Sequence, residues 1–153
     1  MTTGLNSGLN LGELRTIHHF ALNVNNLEAS RHFYGQILGL QELTGDNLPE
    51  TLVKLVAAGK VASFKTADGT ILDLFAEPEL SPPMPILANN LPGQVILAFD
   101  IAPHSFDGAL EVLERHGVII DHGPVSRPTG RGIYFYDPDG FMVEIRCDAI
   151  AEE

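Results

Sequence analysis

The chain has 153 residues, of which 44% are hydrophobic and 19% charged, with a formal net charge of −11. This balance fits one folded domain with a sizeable core and excludes a disordered chain. The acidic excess argues against nucleic acid and anionic membrane surfaces, both of which select basic patches. A single cysteine, Cys147, excludes an internal disulfide and fits a reducing compartment. No apolar run reaches membrane-spanning length, and the opening MTTGLNSGLNLGEL lacks the basic start and apolar centre of a signal peptide. The expectation is a soluble, cytoplasmic protein with roughly its first dozen residues frayed.

In chain order, residues 16–24 (TIHHFALNV) alternate as a strand, with His18, Phe20, Leu22 and Val24 on the apolar face and His19, Ala21 and Asn23 opposite. Asn25 is placed to cap the next helix, with Glu28 three residues on as its capping-box partner. Leu27, Ser30, Phe33, Tyr34, Ile37 and Leu38 then follow the spacing of one buried helical stripe, which Gly39 ends. Strands are predicted at 40–44, 61–66 and 70–76, the last two joined by an Asp68-Gly69 turn, and Pro49 opens a short inserted helix over 49–58.

Residues 78–93 (PELSPPMPILANNLPG) are too rich in proline for a helix or a central strand and read as a linker. The order then repeats: a strand at 94–101, a helix at 106–116 stopped by Gly117, and strands at 118–123, 132–136 and 141–147. Asp137-Pro138-Asp139-Gly140 makes the last hairpin, because Pro presets φ, Gly permits positive φ and the Asp side chains can bond the turn's own amides. The expected fold is α+β, a single domain over 1–153 with module 1 at about 15–77, the linker, and module 2 at about 94–148. Each β-α-β-β-β module covers one sheet face with its helix. The pair should form a curved mixed sheet with helices on the outer face and a concave, uncovered site.

The phase left for that concavity carries His19, Asp73, Gln94, Ile96, Ala98 and Glu144. Glu144 sits at the centre of an otherwise apolar strand and needs a partner, either a metal ion or Arg146 two residues away on the same face. Gly130-Arg131-Gly132 beside Arg127 reads as a basic lip over the concavity or as a solvated hairpin loop. His18 falls on the apolar phase. His32, His104, His116 and His122 share no metal-ligand spacing and read as surface residues, and Cys147 as an inert buried thiol.

The segments IHHFALNVNNLEASRHFYGQILGL, GTILDLF and ILAFDI, with GPV followed by FYDPDGFMVEI, resemble the vicinal oxygen chelate superfamily over residues 17–147. That group includes glyoxalase I, extradiol dioxygenases, methylmalonyl-CoA epimerase, and fosfomycin and bleomycin resistance proteins. The resemblance implies a divalent metal (Mg²⁺, Mn²⁺, Ni²⁺ or Zn²⁺) held by His19, Asp73 and Glu144, with Glu144 also a catalytic base. The remaining ligand position falls on Ile96, which has no electron pair to give, so a two-histidine, one-carboxylate dioxygenase centre is not expected. Gln94 is the substitute on the same face. Phe75, Gln94, Ile96, Arg131, Tyr134 and Met142 are the expected substrate lining. Two functions follow from the resemblance: a metal-dependent lyase or isomerase acting on vicinal oxygens, or a metal-free, drug-sequestering binding protein. Either implies a small-molecule ligand and a homodimer, in which modules of some relatives are exchanged between chains.

Overall fold

The computed structural model describes residues 8–79 and 96–150. The first module runs β1 (His19–Val24), α1 (Leu27–Arg31) continuing as a π-helix (His32–Ile37), β2 (Gln41–Glu42), α2 (Val53–Ala57), β3 (Val61–Lys65) and β4 (Ile71–Ala76). The second runs β5 (Ile96–Asp100), α3 (Phe106–Arg115), β6 (Ile120–Arg127), β7 (Gly130–Tyr136) and β8 (Met142–Asp148). They form two four-stranded sheets of matching order, β1-β4-β3-β2 and β5-β8-β7-β6, rather than one continuous sheet. In each, the first strand lies parallel to the last and the other pairings are antiparallel. The repeat extends to register. His19 faces Ile71 and Ala21 faces Asp73, while Ile96 faces Met142 and Ala98 faces Glu144. The α+β architecture read from the sequence is therefore present.

Alternation sends Val24, Phe64, Leu72 and Leu74 of one sheet, and Ile133, Phe135, Val143 and Ile145 of the other, into one buried cluster shared by both modules. Phe33 from the π-helix bridges them, its ring 4.9 Å from Tyr34 and 6.1 Å from Phe135. The helices meet there too, with the rings of His32 and His116 6.3 Å apart. The opposite phase of each sheet is turned away from this core.

The helical stripe predicted over 27–38 departs from 3.6-residue spacing after Arg31, where Leu38 N–H bonds the Phe33 carbonyl at 2.9 Å, a π-type closure. Gly35 matters here, since a Cβ at that position would lie 3.0 Å from the Phe64 ring. The cap also differs from expectation. The Asn26 side chain accepts from Ala29 N–H at 3.0 Å, whereas Asn25 N–H donates to Asp139. The inserted helix begins at Val53, preceded by 3₁₀ turns at Gly45–Asn47 and Glu50–Leu52. β6 and β7 run further than predicted, so Gly130-Arg131-Gly132 lies inside a strand and not in a loop. Only glycine fits at 130, because a Cβ there would collide with the Cys147 carbonyl. The linker from residue 80 onward and the expected start of β5, including Gln94, lie outside the described residues.

The 137–140 turn does more than reverse the chain. Asp137 Oδ1 accepts from the amides of Asp139 and Phe141 at 2.9 Å each, as turn chemistry predicts, and its Oδ2 accepts from the Tyr34 hydroxyl at 2.7 Å. Asp139 accepts from Asn25 N–H at 2.8 Å and from Ser30 Oγ at 3.3 Å. A hairpin of module 2 thus binds the start of the module 1 helix through two buried carboxylates. Burial pushes the Asp137 carboxyl above its usual range, opposed by the hydrogen bonds it accepts. Burial, then the neighbouring Asp137 charge, raises the Tyr34 phenol.

The sign of the resulting pH dependence follows. A raised native pKa means the folded state binds the proton more tightly, so this group favours folding increasingly as pH falls from its raised value toward the ordinary carboxyl value. Asp137→Asn removes that term. Urea denaturation at pH about 7 and about 4 should show wild type gaining stability relative to Asp137→Asn at the lower pH. A constant difference would mean Asp137 does not titrate abnormally.

Candidate functional site

The outward phase of sheet 1 carries His19, Ala21, Ser63, Ile71, Asp73 and Phe75; that of sheet 2 carries Ile96, Ala98, His122, Arg127, Gly132, Tyr134, Met142 and Glu144. Asp73 is buried and accepts from Ser63 Oγ at 2.6 Å, across the β3–β4 pair. His19 is exposed, its Nδ1 3.0 Å from Nδ1 of His18, so both rings sit at the surface. Phe75 lies beside Asp73 on its strand. Ile96 is exposed and opposes the buried Met142.

Glu144 is half-buried and, among the described residues, makes no hydrogen bond or ion pair. Arg146, the partner the sequence offers, is engaged elsewhere: its Nη1 lies 2.6 Å from Asp100 and 2.8 Å from Asp148. The reason is register, since Asp100 directly opposes Arg146 on the parallel neighbour. No buried side-chain nitrogen or oxygen among the described residues lacks a partner, so the freedom of Glu144 is that of a carboxylate open to its surroundings. It lies over Gly132, where a Cβ would stand 3.1 Å from Glu144 Oε1 and 3.7 Å from the Tyr134 hydroxyl.

Arg131 does not join this face. Alternation turns it to the helix side, where its guanidinium sits 4.3 Å from the Phe106 ring centroid and donates to Asp107 at 2.8 Å. The basic group present instead is Arg127, whose Nη1 lies 3.4 Å from the Tyr134 hydroxyl. That contact, with a smaller contribution from Glu144, raises the guanidinium further above its already high value. His122, read as a surface residue, stacks on Tyr134 with centroids 4.1 Å apart and planes 10° apart. Its Nδ1 lies 2.5 Å from Asp121, which also accepts from the Tyr136 hydroxyl at 2.5 Å. The Tyr136 and His122 contacts lower the Asp121 carboxyl, while burial and then the Asp121 bond push Tyr136 up to about 12. Register shifts on both sides of His122 break the two-residue period in β6, so alternation read along the sequence could not place His122 and Arg127 together.

Among the described residues no group of three His, Cys, Asp or Glu side chains is disposed to hold a metal ion. Within one chain His19 and Asp73 lie on sheet 1 and Glu144 on sheet 2, Asp73 is committed to Ser63, and Ile96 has no donor. That donor set does not fit a metal in the single chain. A cleft of about 430 Å³ between the modules, lined by Phe20, Thr70, Ile71, Leu97 and Asp100, touches none of these three residues.

Paired βαβββ modules with matched carboxylates on equivalent strands define a glyoxalase-type fold. The chain belongs to the Glyoxalase/Bleomycin resistance protein/Dioxygenase superfamily, whose family model matches residues 16–145. A glyoxalase/dioxygenase from Nostoc punctiforme is 60% identical in sequence and superposes with a TM-score of 0.89, covering 96% of this chain and all (100%) of that one. Lactoylglutathione lyase from Agrobacterium tumefaciens shares the fold at 24% identity and a TM-score of 0.60, over 87% of this chain and 93% of its own. Virulence protein STM3117 of Salmonella typhimurium is 29% identical over 133 residues, 84% of this chain and 81% of that protein.

The two carboxylates should separate in mutagenesis. Glu144→Gln removes no intramolecular bond and should leave the denaturation midpoint within about 0.5 kcal/mol of wild type. Asp73→Ala strands the buried Ser63 hydroxyl and should cost about 1–3 kcal/mol. Equal losses in urea denaturation would contradict the assignment of Glu144 as unpartnered.

Proposed function

We propose that this protein binds a small organic molecule on the outward face of sheet 2, in a cavity completed by a second copy of the chain. The observation that carries this reading is the unpartnered Glu144 carboxylate, set among Tyr134, Met142 and Ile96. A charged group left half-buried without an internal partner is suited to meet an external one, and apolar and aromatic neighbours supply the area a ligand buries. The family context supports it, as does the 60% identical glyoxalase/dioxygenase. Among the described residues no helix is long and apolar enough to cross a membrane. The acidic charge and the buried lone thiol suit a cytoplasmic setting and a partner other than nucleic acid or a lipid surface.

Homodimerisation belongs to the same proposal. β1 and β5 are end strands of their sheets, and Leu9, Leu11, Leu14 and Ile17 stand exposed just before β1. Unpaired edges and exposed apolar side chains both favour self-association.

The second reading is a divalent-metal-dependent lyase or isomerase, favoured by the register equivalence of Asp73 and Glu144. If sheet 1 of one copy faced sheet 2 of another, His19 and Asp73 would approach Glu144, and an ion shared among them would act as a Lewis acid on vicinal oxygens. Ile96 would leave that shell one donor short.

Light scattering at micromolar concentration should give a dimer mass, and a monomer would remove the completed cavity. Calorimetry with Mn²⁺, Ni²⁺ and Zn²⁺ on wild type and Ile96→His separates the two readings. The expected result is no binding by wild type and binding by the variant, which gains an imidazole. Stoichiometric binding by wild type that Glu144→Gln abolishes would favour the enzyme.

A further inference from the structure

We infer that residues 9–17 of one copy dock into the cleft between the modules of a second copy, and that the exchange is reciprocal. This names the seat of the proposed homodimer contact and rests on that reading. The segment before β1 is exposed along its whole described length. Within it Leu11 is fully exposed, Leu14 is 81% exposed and Ile17 is 62% exposed. Glu13 N–H donates to the Asn10 carbonyl at 3.2 Å, so a small turn presents these side chains. Large aliphatic side chains left in water so close together mark a contact surface.

The cleft supplies what this segment lacks. Phe20, Ile71, Leu72, Leu97 and Phe99 line its 430 Å³ or so, and exposed Asp68 stands among them. None of residues 9–17 lines the cleft of its own chain. Ile71 N–H bonds the His18 carbonyl at 3.2 Å, which extends the β1–β4 pairing back to residue 18 and holds the chain in strand geometry there. The segment therefore leaves the body beside two walls of its own cleft, Phe20 and Ile71, without turning back into it. Two copies meeting at these mouths around a two-fold axis bring each segment to the other's cleft, the self-complementary arrangement of a symmetric dimer. Charge agrees with this. Among the described residues Arg15 forms no hydrogen bond or ion pair, and Asp68 bonds only Thr66 and Thr70 of its own turn. Arg15 of one copy against Asp68 of the other orients the segment, while the leucines carry the affinity, since exposed ion pairs contribute little. β5, which supplies Leu97 and Phe99, is also an end strand with one edge open to a partner.

The test uses the full chain. Sedimentation over a concentration series reads the dimer dissociation constant of wild type and of Leu11→Ser/Leu14→Ser, whose changes lie outside the core. The constant should rise at least about a hundred-fold in the variant. Ala67→Lys, which puts a long cation on the cleft wall, should raise it from the other side, and Lys54→Gln on α2 should not. For position, a nitroxide is attached at Gly8→Cys, where a Cβ meets nothing within 4 Å, while the buried Cys147 stays unlabelled. Mixed with ¹⁵N-labelled unmodified chain, it should broaden the amides of residues 66–72 and 97–99 in the unmodified copy. Broadening of those amides only when nitroxide and ¹⁵N share one chain would mean that the segment folds back, and would overturn the exchange. A dimer constant unchanged in Leu11→Ser/Leu14→Ser, with those amides sharp, would leave the homodimer standing and overturn its seat. A wild type that is monomeric throughout would remove both.

Discussion

Two carboxylates in a four-residue turn hold the arrangement together. Asp137 and Asp139 are buried where the last hairpin of module 2 meets the first helix of module 1, and between them their side chains accept five hydrogen bonds, four of them at 2.7–2.9 Å. Burying a carboxylate is tolerated only when such bonds replace water, and here the donors come from both modules. The clamp therefore fixes how the modules sit, not merely how a turn is shaped. It brings Phe33 against Phe135 and merges two small cores into one. Either module alone, with four short strands and a helix, would bury little apolar surface.

That choice of core decides where chemistry can occur. Because the helix-facing phases of both sheets are used up in packing, only the opposite phases remain to meet a ligand. Ile71 of sheet 1 and Ala98 of sheet 2 line one cleft within the chain, but His19, Asp73 and Glu144 are not part of it. In the proposed reading a second copy of the chain completes the cavity over sheet 2. Arg127, Tyr134 and Glu144 lie on that face.

The repeat also explains why two equivalent carboxylates behave differently. Asp73 and Glu144 occupy the same register position, opposite Ser63 and Tyr134 respectively. Ser63 is short enough to donate straight across to Asp73. Tyr134 carries its hydroxyl past its own cross-strand neighbour to Arg127, and Glu144 is left without a donor. One substitution of cross-strand partner converts a structural carboxylate into an available one.

The sequence by itself determined what depends on local period and turn chemistry. The alternation of β1, β4 and β8, the stop at Gly39, the Asp137 turn and the repetition of the module order were all legible, because strands have a period of two and glycine and proline act on their own backbone. The tertiary structure decided everything set by distant partners. Asn25 could not be seen to serve Asp139, nor Arg146 to prefer Asp100 over Glu144, since those choices depend on which strands become neighbours. Arg131 was lost from the face because β7 begins at Gly130 and alternation turns Arg131 to the helix side, whereas Arg127 and His122 were gained because the bulge in β6 shifts register where a sequence shows no mark of it. Whether His19, Asp73 and Glu144 share a space was also beyond alternation, which assigns each residue to a face but is silent on which faces meet.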